Sequence, residues 1–385
     1  MKKIDIIFST ILLLLTLLQG VVKSSENDDK EKIKTFKVNK GGDLYVEINP
    51  GDITIKTWEK DEVSVSVSGF EEEQLKDVEM TSEKNRISIR YEKGYGSDDA
   101  EFTITVPVKY NLELITSAGN INVKDDIDGT VKANTNGGDV SCKNVSGNLT
   151  VQSMGGNIGV NDVDGNLSVN TMGGDISIGM IKGNSAKVNT MGGEINIGKC
   201  LSGITVKTSG GDIAIGDAGG DSEFITYGGN ISIGNISGNV KMETSGGNLS
   251  LGDADGIVKG KTNGGNIDFK TVKGSVDIKT MAGEVALTLY PESGSESRIS
   301  TNAGSIELTI PSSAKTTIEA RIHVQGYWKT AEDTYQIESD FPAKSNSNDE
   351  EKHDIVGTYE LNGGGSKILL KATNSDISII NESKK

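Results

Sequence analysis

Arginine and histidine are absent from Ser117 to Ser297 of this 385-residue chain. Enzymes that degrade acidic polysaccharides on β-helical folds set outward carboxylates beside Arg, Lys or His, and two of those three partners are missing here. Asp162 and Asp164 share one stretch, and Asp217, Asp253 and Asp255 occupy others, all in turns and not in one constellation. No nucleophile motif, phosphate-cradling loop or metal-ligand spacing occurs. The chain therefore reads as a non-enzyme with no cofactor and no metal.

Cysteine is nearly absent too, with Cys142 and Cys200 alone. They fall at different phases of the repeat described below, three rungs apart. At about 4.8 Å per rung that is about 14 Å, beyond the Cα limit of about 7 Å for a disulfide. Two free thiols buried as small apolar groups are expected.

Long apolar runs are missing after the first residues. Lys2 and Lys3 precede the apolar run Ile6 to Leu18, and Val22 and Ser24 suit cleavage after Ser24. Residues 1–24 read as a signal peptide, since the run is short for a spanning helix of about 20 residues; an uncleaved anchor is the alternative. No cysteine follows to carry a lipid, and no later run is apolar enough to span a bilayer. The expected location is extracytoplasmic: periplasm, cell surface or outside the cell. A net charge of −16 repels nucleic acid, leaving a glycan or an envelope protein as the partner class. Residues 25–33 are acidic and polar and read as a flexible start.

What the chain has in abundance is a repeat of about 18 residues. From Asn136 it reads NGGDVSCKNVSGNLTVQS, and from Met154 MGGNIGVNDVDGNLSVNT. Further copies begin at Met172, Met191, Ser209, Tyr227, Ser245, Asn263 and Met281, with weaker ones at Ser117 and Asn302. Each unit has two halves, and in each apolar and polar residues alternate, as at Ile158/Val160 and Leu167/Val169. Period two is the strand signal, while glycine is too frequent for stable helices. One copy cannot bury its apolar stripe, but stacked copies can. The prediction is an all-β parallel β-solenoid (β-helix) over 117–310. It is expected to be right-handed, with about 18 residues per rung and about ten rungs over some 50 Å. The Gly-Gly pairs and the Asp-Gly or Ser-Gly pairs are assigned to positive-φ turns.

Three columns run down the repeat. An Asn/Asp/Glu column follows Gly-Gly and is expected to cap backbone groups at the bends. A calcium reading needs a third glycine two residues after that pair, where this chain has Ile, Val or Leu. A Thr column (Thr135, Thr171, Thr262 and equivalents) shares the inward face of Val169, which speaks against an outward ice-binding array. The Met column (Met154, Met172, Met191, Met281) is assigned to corner packing. Outward on the second strand are Lys187, Lys207, Lys241, Lys259, Lys261 and Lys279, interrupted by Glu223, Glu243 and Asp277. Lys207, Lys241, Lys259, Lys261 and Lys279 are the candidate binding residues, set against the alternative of a mixed solvated surface.

Flanking this, 34–116 contains unrepeated strands at Leu44–Ile48, Ile53–Trp58, Val63–Ser68, Ile87–Tyr91 and Phe102–Val106, and a short helix within Phe70–Val78. These residues read as an N-terminal β cap, and 311–385 as a C-terminal β cap holding Trp328, Tyr335 and a mobile loop at 343–354. The segments LYVEINPGDITIKTWEKDEVSVSVSG, LELITSAGNINV and DFPAK…LNGGGSKILLKATNSDISII resemble the bacterial putative-adhesin family. Asn374-Ser375 stands where that family usually has Gly. The resemblance covers about Lys34 to Asn381 and implies an exported or envelope β-solenoid without transferable catalytic residues. The expectation is an exported, non-enzymatic, adhesin-like or structural solenoid. A polysaccharide-binding or polysaccharide-degrading β-helix is the alternative.

Overall fold

The computed structural model describes residues 31–92, 100–326, 334–349, 351 and 353–384. The segment read as a signal peptide and Trp328 lie outside them.

Within the repeats, alternation becomes parallel ladders. Val140 pairs with Ile158, Ile158 with Ile176, and Ile176 with Ile195. On the second strand Leu149 pairs with Leu167 and Leu167 with Ala186. Hydrogen bonds from one coil to the next span 18 residues, as from Asn157 N–H to Asp139 Oδ1. The inward residues of all coils join one continuous core. Among the described residues the fold is an all-β, mostly parallel solenoid, with one single-turn α-helix and a short 3-10 turn at Glu382–Lys384. The two-halves pattern concealed a third, shorter inward ladder: Ile127, Val145, Val163 and Ile181 stack by isolated bridges. It continues through Cys200 and Ala218.

The column threonines are buried. Thr262 donates to Gly247 O at 2.8 Å and accepts from Gly265 N–H at 3.2 Å. Thr135 and Thr208 do the same toward their own glycines, and Thr280 donates to Gly265 O. The Asn/Asp column caps the following coil: Asp139, Asn157 and Asp175 each accept from the backbone N–H one unit on. That chain of bonds stops at Glu194 and resumes with Asp212.

Two expectations are corrected. No Gly-Gly pair that opens a unit has positive φ; between the halves it occurs, as expected, at the Ser-Gly and Asp-Gly pairs ending in Gly238 and Gly256, and also at Gly220 and Gly274. The second glycine of each pair serves close stacking instead. A Cβ on Gly156 would lie 2.0 Å from Gly138 O, and one on Gly174 2.1 Å from Gly156 O. The Met column does not pack the corner. Met154, Met172, Met191 and Met281 are 49–57% exposed, because the first position of each unit points away from the bend.

At the N-terminal end, strands Gly42–Ile48 and Asp52–Trp58 pair in parallel with Tyr110–Thr116 and Ile121–Val123, continuing the stack. Antiparallel edges then close it. Lys32–Lys37 pairs with Glu62–Ser68, and Glu79–Glu83 with Arg86–Tyr91. Their charged residues suit edge strands that must not recruit others. The first strand begins at Lys32, inside the stretch read as flexible. The predicted helix is the single turn Glu72–Leu75, held by a Glu71/Gln74 capping box.

At the C-terminal end, Glu296–Thr301 pairs with Ser366–Thr373, which pairs with Thr316–His323. The stretch expected to be a mobile loop instead contains the strand Ser345–Asp349, antiparallel to Asp354–Leu361. Its residues are mostly exposed, so no apolar alternation marked it. Backbone pairing to an established strand is what makes it a strand.

Candidate functional site

The strand Leu249–Lys261 presents Lys259 and Lys261 outward, and Ile267–Thr280 presents Asp277 and Lys279. Register then fixes their neighbours. Lys261 lies beside Lys279, Lys279 beside Ser300, Ser300 beside Lys371, and Lys371 beside Arg321. One outward column thus carries Lys261, Lys279, Ser300, Lys371 and Arg321 across five adjacent strands, each about 4.8 Å from the next. Inward Ile368, Leu370 and Ala372 are what hold Lys371 outward.

The sequence candidates divide into two groups. Lys207 and Lys241 flank Glu223, at 2.9 and 3.1 Å, and Lys241 also reaches Glu243 at 3.2 Å. These hydrogen bonds, first Lys207's and then Lys241's, hold Glu223 below the usual carboxylate range. Glu223 in turn raises Lys241. Both lysines are half-buried and neutralised locally. Lys259, Lys261 and Lys279 are exposed, and among the described residues none has a carboxylate partner; Lys371 joins them. Lys187 is also exposed, but its lateral neighbours are Ser168 and Thr205, so it stands apart.

Beside the column lies a groove of about 430 Å³, lined by Lys279, Ser300, Thr301, Asn302, Arg321, His323, Asp354, Lys371, Ala372 and Thr373. Asp354 is buried, and its two carboxylate oxygens serve different partners: Arg321 Nη1 at 2.7 Å and His323 Nδ1 at 2.9 Å. Arg321 Nη2 also donates to Glu319 at 3.1 Å. Glu319 first, then Asp354, raises the Arg321 pKa further above its ordinary value. With Nδ1 against Asp354, His323 leaves Nε2 for the groove.

Sequence reading missed Lys371, Arg321, His323 and Asp354. Alternation marks Lys371 and Arg321 as outward, yet nothing local says that their strands lie beside Lys279. Asp354 falls at the end of the stretch read as a loop. Asp164 and Asp217 are tied to Lys182 at 2.7 Å and Lys199 at 3.8 Å. Asp162 accepts from Met180 N–H. Among the described residues no three His, Cys, Asp or Glu side chains form a metal-binding group. None of their helices is long and apolar enough to cross a membrane.

A family model described as Toastrack DUF4097 matches residues 43–252. Similar solved structures include a putative adhesin from Bacteroides fragilis (13% identity, 68% of this chain and 97% of that one, TM-score 0.21). Others are a putative cell adhesion protein from Clostridium sporogenes (9%, 92% and 100%, 0.17) and a putative lipid binding protein from Parabacteroides distasonis (13%, 72% and 94%, 0.25). At such TM-scores these likenesses carry no argument about a ligand. No curated protein matches the chain.

Proposed function

Taking as premise that the chain belongs to the Toastrack DUF4097 family, we propose that it is an exported, non-enzymatic, adhesin-like module of the bacterial envelope that holds an anionic surface polymer. The observation that carries this reading is the run of exposed lysines without carboxylate partners, Lys259, Lys261, Lys279 and Lys371, on adjoining strands of an otherwise acidic protein. A local cationic stripe on such a background attracts polyanions to one face while the rest repels them. Export is supported by Lys2, Lys3 and the apolar run Ile6 to Leu18. The coil is taken as right-handed, the sense of nearly all parallel crossovers.

The test is retention of the protein on polygalacturonate-coated and dextran-coated surfaces over rising salt. Retention on the charged surface alone, lost at high salt, is the expected result; equal behaviour on both rejects the reading. N-terminal sequencing of protein recovered outside the cytoplasm should begin at Ser25. A degrading enzyme is the second reading, favoured by the pairing of His323 with buried Asp354 in the groove. Shortening of the polymer during incubation would support it over the first.

A further inference from the structure

We infer that the stripe takes a polyuronate chain, lying across the strands along the solenoid axis with about one sugar per strand and its carboxylates on the lysines. This rests on the reading of the face as anion-binding and specifies its ligand.

Three features point the same way. The first is spacing. Lys261, Lys279 and Lys371 share one outward column, with Ser300 between and Arg321 beyond. Neighbouring positions are about 4.8 Å apart, close to the length of one pyranose. A linked uronate presents one carboxylate per sugar at a rise close to the strand spacing, so the carboxylates turned toward this face can reach Lys261, Lys279 and Lys371 while Ser300 faces a hydroxyl.

The second is charge density. Glu243 lies beside Lys261, Asp277 beside Lys259, and Glu319 and Asp354 hold Arg321. A polymer with several sulfates or phosphates per unit would set unmatched charges against these carboxylates. A single carboxylate per sugar meets the lysines and leaves the acids to face hydroxyls, from which they accept hydrogen bonds.

The third is the groove itself. Ser300, Asn302, Thr373 and His323 offer hydroxyl, amide and imidazole groups beside the lysines, the complement of a sugar's hydroxyls. Its described lining residues include no Phe, Tyr or Trp.

The experiment titrates the full chain with oligogalacturonides of increasing length, and with dextran sulfate and polyphosphate. Affinity should rise with each added sugar up to about five, one per strand of the column, and then level. Lys279→Gln and Lys371→Gln should each lower the plateau affinity about tenfold, the effect of losing one charge-assisted contact. Lys187→Gln, on the same sheet outside the stripe, should not. Length-independent affinity, or unchanged binding by Lys279→Gln and Lys371→Gln, overturns the inference. Binding of dextran sulfate or polyphosphate without oligogalacturonides overturns the polyuronate and leaves the anion-binding face standing. Binding of none of them removes both.

Discussion

Glycine in this chain does two jobs that look alike in sequence. Gly155 and Gly156 are adjacent and both recur, but a Cβ on Gly155 would meet its nearest atom at 3.7 Å, against 2.0 Å for Gly156. Gly155→Ala should change stability by no more than about 0.5 kcal/mol. Gly156→Ala should cost about 1–3 kcal/mol through forced separation of two coils, as thermal or urea unfolding would report. Sequence could show that both positions are glycine, but not which one touches the coil before it. The two cysteines were easier to read. Both are free and buried, and burial pushes the Cys142 thiol up to about 12. In the unfolded chain a thiol ionises near about 8.5, so the folded state keeps its proton. Stability from this source is present below that pH and is lost as pH rises toward 12. Cys142→Ala should flatten the alkaline limb of a stability–pH profile, while Tyr110, also raised to about 12 by burial, remains in both proteins.

The element scale is where local pattern was most informative. Val131, Leu149, Leu167 and Val258 stand on strands whose in–out alternation is legible without any partner. What failed was direction at the corners. Met154, Met172 and Met191 are apolar, and apolarity alone suggested burial. Their position one residue after the buried Thr or Ser, at the start of the bend, turns them outward. Mild peroxide should therefore oxidise Met154, Met172, Met191 and Met281 in the folded protein without unfolding it, and spare Met80 and Met242, which are 8% and 0% exposed. Peptide mass spectrometry separates the two groups. Equal oxidation of both, before any loss of structure, would contradict the assignment. The strand Ser345–Asp349 was invisible for the opposite reason, having no apolar face to announce it.

Across the whole molecule, the repeat gave the stack because every coil pairs with the next copy of itself. The stripe was only half legible. Lys259 and Lys261 share one unit and Lys279 stands in the next, so the pairing of Lys261 with Lys279 follows from the repeat. Lys371 and Arg321 arrive from strands that leave the repeat, and Ser300 pairs with Lys371 across a long excursion of the chain. No local rule gives such a pairing, because it is settled by which strands cover the open end of the core. The lysine face read from sequence also included Lys207 and Lys241, whose charges are taken up by Glu223 and Glu243. Whether a lysine's charge is taken up here depends on the reach of the side chains as well as on register, since Lys261 also has Glu243 beside it without an ion pair.

The most direct test compares binding to immobilised polygalacturonate by the unaltered protein, by Lys261→Gln/Lys279→Gln/Lys371→Gln, and by a control of equal charge loss, Lys56→Gln/Lys132→Gln/Lys187→Gln. Circular dichroism checks that all three remain folded. Binding should be lost in the stripe variant and kept in the control. Equal loss in both would mean that net charge, and not the face built by the meeting of the repeat with the C-terminal strands, is what the polymer recognises.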